Sequence, residues 1–130
     1  MTNQELITMA KEVMKKAYAP YSHFQVGAAL LAKDGRVFTG CNVENATYGA
    51  TICAERTAVT KAVSEGVREF EKIAIVASSG EYAAPCGICR QVLFEFMPAG
   101  KVVLWSELEG EKEFALTELL PFGFRGEDIK

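Results

Sequence analysis

Apolar and polar positions at the start of the chain follow the period of a helix. Apolar residues recur at the spacing of one helix face, at Leu6, Ala10, Val13 and Ala17. Thr2 and Glu5 come just before these residues. They have the T-x-x-E spacing of a capping box, which is typical of a helix N-terminus. Pro20 cannot continue a helix and ends the pattern. The chain is therefore expected to open with an amphipathic helix.

The next apolar runs predict a hairpin followed by a second helix. Residues 26–32 and 37–39 are apolar segments on either side of the turn residues 33–36. The Asp-Gly pair within that turn is a strong signal for a tight connection between two antiparallel strands. Residues 54–65 then have the pattern of a helix, and Gly66 supplies its stop signal.

The second half of the chain predicts strands and helices in alternation. Residues 72–78 are almost continuously apolar and rich in β-branched side chains, as buried strands are. The remaining predicted elements are a helix at 87–96, strands at 101–105 and 114–116, and a helical turn at 117–120. This order indicates an α/β fold, with one mixed five-stranded sheet and helices on both faces. We expect residues 1–130 to form a single domain.

Composition and charge narrow the class of partner. The 130 residues carry 14 Lys and Arg against 17 Asp and Glu, which argues against a nucleic acid polymer as the partner. The longest apolar run is much too short to cross a bilayer, so no membrane association is expected. Since no export signal is visible, we expect a cytoplasmic protein. There, the four cysteines are expected to be metal ligands, catalytic thiols or core residues rather than disulfide partners.

Three of the cysteines are spaced as metal ligands. Cys86 and Cys89 form a C-x-x-C motif at the start of a predicted helix, which brings both sulfurs to one side. Cys53 opens the preceding helix, so two helix N-termini are expected to meet at one point. Three ligands predict one zinc ion with a position left open, as catalytic zinc sites have. Cys41 falls at a strand end and is expected to be a small buried hydrophobic residue.

The residues next to these cysteines suggest how such a site would work. Glu55 lies two positions after Cys53, so on a helix it would point towards a zinc-bound water rather than join the ligands. A carboxylate in that place can take the proton of the water and later return it. Because three thiolates outweigh the charge of the ion, a cation that donates hydrogen bonds to the sulfurs would restore its Lewis acidity. Arg56 and Arg90 are the candidates, and Arg56 is favoured.

The combination of C-A-E with P-C-x-x-C resembles the signature of the zinc deaminases. The likeness extends from Tyr18 to Phe124 and is closest to the small homotetrameric cytidine deaminases. Four blocks carry it: residues 21–30 (YSHFQVGAAL), 40–46 (GCNVENA), 53–56 (CAER) and 85–91 (PCGICRQ). This resemblance implies hydrolytic deamination of cytidine and 2′-deoxycytidine to the uracil nucleosides and ammonia, a reaction of pyrimidine salvage. It also implies that Glu55 is the proton shuttle and that the three cysteines bind one zinc per subunit.

The resemblance further implies a set of substrate contacts. Asn42 and Glu44 would hold the ribose hydroxyls, Phe24 would pack on the pyrimidine face, and Ala54 would border the substrate. The sugar assignment also has a basis in the residues, since i, i+2 positions on an extended segment face the same side. In a homotetramer, three residues are possible contacts to a neighbouring site: Ala46, Tyr48 and Phe124. Phe122 offers a second aromatic side chain in the same tail.

Three other functions fit part of the pattern. A deaminase of another aminopyrimidine nucleoside, such as blasticidin S, would share C-A-E and P-C-x-x-C, although Asn42, Glu44 and Phe24 favour an ordinary nucleoside. A structural zinc module would use all four cysteines and leave Glu55 without a role. A thiol redox protein would show titratable vicinal thiols and no metal.

Overall fold

The computed structural model of the protein describes residues 1–129, and within them it contains nine regular elements and two short 3-10 turns. The elements follow the chain in the order α1 (Asn3–Met14), β1 (Val26–Ala32), β2 (Val37–Cys41), α2 (Ala54–Ser64), β3 (Phe70–Ala77), α3 (Gly87–Phe96), β4 (Lys101–Ser106), β5 (Gly110–Ala115) and α4 (Leu116–Leu119). The 3-10 turns span Tyr48–Ala50 and Gly126–Ile129.

The five strands form one mixed sheet in the order β2-β1-β3-β4-β5. Only β3 and β4 are parallel within the described chain, and α3 makes the crossover between them. The other neighbours are antiparallel, and β1 and β2 form the hairpin that Asp34 and Gly35 predict. Gly35 has a φ of 96°, a backbone angle that residues other than glycine rarely adopt. The predicted mixed five-stranded sheet is confirmed.

Helices cover both faces of this sheet, as predicted. On one face, α1 buries Leu6, Ile7 and Ala10 against side chains from β1, β3 and β4. On the other face, α2 and α3 pack over the opposite side chains of the same strands, in a larger core. The alternation of side chains along each strand separates the two cores, since successive residues face opposite sides of a sheet. None of the helices in residues 1–129 has the length and apolar content needed to span a bilayer.

Two glycines on neighbouring strands let a helix approach the sheet closely on each of its faces. A Cβ atom at Gly40 in β2 would lie 2.5 Å from the backbone nitrogen of Ala58 and 2.6 Å from the backbone oxygen of Ala54, both in α2. A Cβ atom at Gly27 in β1 would collide with the backbone oxygen of Ala10 in α1, on the other face. The two helices are therefore seated directly on β1 and β2 at positions where no side chain intervenes.

The predicted boundaries differ from the structure mainly at two elements. The capping box is present, with Thr2 as the N-cap of α1, but the helix ends at Met14, well before Pro20. The chain leaves the helix early because the backbone of Tyr18 pairs with Asn42 and Glu44. The predicted last strand, residues 114–116, is shorter than the observed one. Strand β5 begins at Gly110 and forms a hairpin with β4.

Candidate functional site

The candidate site lies at one end of the sheet, where three strands begin or end side by side. Gly27, near the start of β1, pairs with Cys41, the last residue of β2. Val26 pairs with Ala77, the last residue of β3. The segments that follow β2 and β3 therefore leave the sheet at the same end, and they lead to the N-termini of α2 and α3.

Three thiols meet where these two helices begin. The Sγ atoms of Cys53, Cys86 and Cys89 all lie within 4.8 Å of one another. Cys53 is the N-cap of α2 and Cys86 is the N-cap of α3, and the Cys86 sulfur accepts the backbone N–H of Cys89 at 3.4 Å. Cys41 is a half-buried free cysteine that does not belong to this group. The structure thus brings together the three cysteines selected from the sequence and leaves the fourth out.

The cluster favours at least one thiolate. Hydrogen bonding from the Cys89 thiol, helped by the Arg56 guanidinium, lowers the pKa of Cys53 to about 5. The pKa of Cys89 is raised, because its thiol donates to Cys53 and because it is buried. The Nη2 atom of Arg56 donates to the Cys53 sulfur at 3.4 Å, which raises the pKa of Arg56 in turn. A thiolate-forming set of three sulfurs at two helix N-termini has the chemistry that Zn²⁺ requires of its ligands.

The two arginines next to the cysteines have different partners. Arg56 contacts a sulfur, as predicted. Arg90 does not: its Nε donates to the backbone oxygen of Pro85 and its Nη1 to that of Leu119, both at 2.7 Å. Of the two candidate arginines, the structure therefore places only the favoured one, Arg56, against a sulfur. The Arg90 guanidinium is occupied by backbone carbonyls of the loop before α3 and of the chain after α4.

Glu55 lies in the first turn of α2 beside this cluster. Its side chain is buried, with only 5% of the residue exposed. Glutamate is almost never buried to this extent unless it is paired with another group. Burial raises the pKa of Glu55, and the charge at Cys53 acts in the same direction. A buried carboxyl group with a raised pKa beside three potential metal ligands is the arrangement expected of a group that exchanges protons.

Asn42 and Glu44 follow β2 and brace the loop that precedes β1. The Asn42 side chain accepts the Val26 N–H at 2.9 Å and donates to the Phe24 carbonyl at 2.8 Å. The Oε1 atom of Glu44 accepts the N–H groups of Tyr21 and Ser22 at 3.0 and 3.1 Å, and its Oε2 accepts the Ser22 hydroxyl. Both residues thus act on one loop, but Asn42 is buried and Glu44 is half-buried.

A cavity of about 390 Å³ opens beside Glu44. Its walls come from the loop before β1 and from the segment between β2 and α2, through Tyr21, Ser22, Glu44, Asn45, Tyr48 and Thr51. The Tyr21 and Tyr48 rings form an edge-to-face pair with centroids 6.0 Å apart. Two aromatic rings beside a carboxylate and a small set of polar side chains are typical of pockets that bind a small molecule with both a flat part and hydroxyl groups.

The other predicted residues are distributed around this region. Phe24 is 41% exposed, and the Ala54 side chain is fully buried under the start of α2. Ala46 and Tyr48 lie exposed in the segment before Cys53. Phe124 lies in the tail, where the Gln91 side chain donates to its carbonyl at 2.6 Å and accepts its N–H at 3.2 Å. Phe122 is fully exposed and has a φ of 56°, so it has no such support.

Sequence reasoning missed two polar residues that organise this region. Ser22 links Glu44 to the loop before β1, and Gln91 holds the backbone of Phe124. Both act on segments far away in the chain, so only the folded structure reveals their partners. The available signal was their position inside the motif blocks, since Ser22 precedes Phe24 by two residues and Gln91 follows Cys89 by two.

Comparisons with known proteins agree with this geometry. The family model described as "Cytidine and deoxycytidylate deaminase zinc-binding region" matches residues 1–106. A curated cytidine deaminase of Halalkalibacterium halodurans is 52% identical over 130 residues, covering 99% of this chain and 98% of that protein. A probable cytidine deaminase of Dictyostelium discoideum is 44% identical, and the match covers 99% of this chain and 90% of that protein.

Solved structures give the same result for the fold. The crystal structure of cytidine deaminase from Burkholderia pseudomallei superposes with a TM-score of 0.90 at 49% identity, covering 95% of this chain and all of that one. Cytidine deaminase from Mycobacterium tuberculosis gives a TM-score of 0.84 at 40% identity, covering 95% and 98%. The fold predicted from the sequence is therefore the one these structures have.

Proposed function

Because this chain belongs to the family of zinc-binding cytidine and deoxycytidylate deaminases, we propose that it hydrolyses the amino group from C4 of cytidine and of 2′-deoxycytidine. The products are uridine or 2′-deoxyuridine and ammonia. The observation that carries this proposal is the meeting of three thiols within 4.8 Å at two helix N-termini, with the buried carboxyl group of Glu55 beside them. A redox dithiol or a structural zinc knuckle has no use for that carboxyl group.

Cys53, Cys86 and Cys89 are the residues that would hold the zinc ion. When bound, the zinc supplies Lewis acidity, which lowers the pKa of a water molecule from 15.7 towards about 7. The Arg56 guanidinium, which donates to the Cys53 sulfur, offsets part of the negative charge of three thiolates. Cys41 takes no part, since its thiol is outside the group of three.

Glu55 moves the protons of the reaction. It accepts a proton from the attacking water and donates it to N3 of the base, which makes C4 more electrophilic. It then transfers the second proton of that water to the amino group, which leaves as ammonia. Burial of this carboxyl group excludes bulk water from the proton path, so the same proton is passed on rather than lost to solvent.

The nucleoside is recognised through its base and its sugar. Phe24 packs on the pyrimidine ring, and Ala54, at the start of α2, borders it. Glu44 accepts hydrogen bonds from the ribose hydroxyls at the cavity of about 390 Å³, and Asn42 adds a donor and an acceptor beside it. This arrangement supports cytidine over blasticidin S as the substrate, and the names of the curated relatives agree with that choice.

The working enzyme is a homotetramer that acts in pyrimidine salvage in the cytoplasm. Exposed aromatic side chains around the site support the assembly, since Tyr48 is 75% exposed and Phe124 is 55% exposed. In the tetramer, three residues contact a neighbouring site: Ala46, Tyr48 and Phe124. Phe124 rather than Phe122 is assigned this contact, because the Gln91 side chain holds its backbone in place. The four free cysteines fit a reducing compartment.

One experiment tests the proposal directly. Loss of cytidine is followed spectrophotometrically, and zinc is quantified in the same protein sample by atomic emission. We expect one zinc per chain and uridine as the product. A sample that holds one zinc per chain and leaves cytidine and 2′-deoxycytidine unchanged would refute the proposed reaction, whether or not it converts blasticidin S.

A further inference from the structure

The loop before β1 contains a chain of hydrogen bonds that none of the roles above explains. The Ser22 hydroxyl donates to Oε2 of Glu44 and accepts the backbone N–H of Phe24, the latter at 3.0 Å. The Phe24 carbonyl in turn accepts the Asn42 side chain at 2.8 Å. The peptide groups on both sides of Phe24 are therefore held by polar side chains at the proposed sugar site. His23, between Ser22 and Phe24, has a φ of 58°, so the loop keeps a costly backbone conformation.

A count of hydrogen-bonding capacity shows what this leaves for a sugar. An ionised carboxylate has about four acceptor positions, and Glu44 uses three of them on Tyr21 and Ser22. One acceptor position remains on Oε2. The Ser22 oxygen accepts one N–H and donates its own proton, so one of its two lone pairs is also free. Two vicinal sugar hydroxyls need two acceptors, and Oε2 of Glu44 and Oγ of Ser22 are hydrogen-bonded neighbours.

We propose that Ser22 is a positioning residue for sugar recognition: it fixes the Glu44 carboxylate and completes the pair of acceptors that receive the ribose hydroxyls. This inference rests on the proposed function, since it takes Glu44 as the sugar-binding carboxylate. Three features support it. Ser22 and Glu44 both line the cavity beside Tyr48, the serine side chain is exposed to that cavity, and the same contact lowers the pKa of Glu44 and so keeps the carboxylate ionised.

The test uses two substrates that differ only in the sugar hydroxyls. The ratio of kcat/KM for cytidine to kcat/KM for 2′,3′-dideoxycytidine reports sugar recognition, because any change in the base site or in overall folding affects both substrates alike. We expect Ser22→Ala to lower this ratio about tenfold, mainly through KM for cytidine, as the loss of a hydrogen bond to a charged group would. Ser22→Thr keeps the hydroxyl and should keep the ratio.

Two further variants serve as controls. Ser64→Ala removes a serine hydroxyl at the other end of α2, where it donates to the Lys61 carbonyl, and should leave the ratio unchanged. Glu44→Gln should lower the ratio at least as far as Ser22→Ala does. Thermal unfolding of each variant, followed by circular dichroism, verifies that the comparison is made on folded protein.

The outcomes separate this inference from the proposed function. A Ser22→Ala ratio within twofold of the wild-type value, with a lowered ratio in Glu44→Gln, overturns the role of Ser22 and leaves the sugar assignment of Glu44 intact. A Ser22→Thr ratio as low as that of Ser22→Ala also overturns it. Unchanged ratios in both Ser22→Ala and Glu44→Gln would overturn the sugar assignment itself, and a wild-type protein inactive on both substrates would overturn the proposed reaction.

Discussion

Single side chains at the site combine a structural contact with a free hydrogen-bonding position. The Asn42 side chain accepts the Val26 N–H and donates to the Phe24 carbonyl, on the two sides of Gln25, yet one N–H and one lone pair of its amide stay unused. The sequence predicted that Asn42 and Glu44 lie on one side of an extended segment. It did not reveal that both of them support the loop before β1, because that contact joins residues about twenty positions apart and depends on where the folded strands begin. The thiol cluster could be predicted, since its ligand types and spacings are local.

Glu55→Gln is expected to keep the metal and to bind cytidine, but to lose most of its turnover. The amide has the shape of the carboxyl group and cannot carry protons. General acid–base groups contribute about 10²–10⁴-fold, and the role proposed for Glu55 covers more than one step, so the loss should reach at least the upper end of that range. Steady-state kinetics together with zinc content and equilibrium binding of cytidine measure this. A turnover within tenfold of wild type would exclude Glu55 as the proton carrier.

Cys41→Ala should retain one zinc per chain, whereas Cys86→Ala should lose it. The reason is that the Cys86 thiol lies within 4.8 Å of the other two and the Cys41 thiol does not belong to the group. Each protein is purified without added metal, and its zinc is quantified. The two variants are a matched pair, because both remove one thiol. Loss of zinc from Cys41→Ala would favour a four-cysteine structural site.

Among the elements, those with a strong local pattern were predicted well. Strand β1 and helix α3 have the predicted bounds, and Gly66, with a φ of 90°, follows the end of α2 as its stop signal requires. Strand β5 was predicted too short, because most of its side chains are exposed and polar, including Glu111, Lys112 and Glu113. Its place in the sheet comes from backbone pairing with β4 at the sheet edge, which leaves no apolar period in the sequence.

Helix α3 also determines where the tail lies, and this can be tested by proteolysis. The Gln91 side chain makes two hydrogen bonds to the backbone of Phe124, next to Arg125. Gln91→Ala removes both, which at about 1 kcal/mol each raises the population of a detached tail more than tenfold. We expect trypsin to cleave after Arg125 correspondingly faster, as followed by mass spectrometry. Gln4→Ala, on the exposed side of α1, is the control. Equal cleavage rates in the two variants would show that Gln91 does not hold the tail.

For the molecule as a whole, the proposed metal would join two helices that otherwise make few mutual contacts. The three thiols that would bind it lie at the N-cap of α2 and at the N-cap and first turn of α3, and these helices follow different strands of the sheet. A bound ion therefore links two parts of the larger core across the site. The proposed reaction and the stability of the fold depend on the same three sulfurs.

Removal of zinc should consequently destabilise the whole fold. A ligand present at one hundred times its dissociation constant stabilises the native state by about 2.7 kcal/mol, which corresponds to a shift in Tm of roughly 8 °C for a protein of this size. We expect a drop of at least this size when a strong chelator strips the protein, and recovery when zinc is added back. Differential scanning calorimetry measures both. Magnesium serves as the control and should not restore the Tm, since thiolates bind it poorly. An unchanged Tm after verified zinc loss would contradict this coupling.

The close seating of two helices on Gly27 and Gly40 has a consequence at the level of the genetic code. Every glycine codon has the form GGN, so any nucleotide change that alters the amino acid at these positions adds a side chain where helix backbone already lies. At Gly40 the obstructing atoms belong to Ala54 and Ala58, on either side of Glu55, so a displaced α2 would move Glu55 and Cys53 together. In a deep mutational scan selected for growth on cytidine, both positions should accept only synonymous changes. Gly49, where a Cβ atom meets nothing within 4 Å, should accept many.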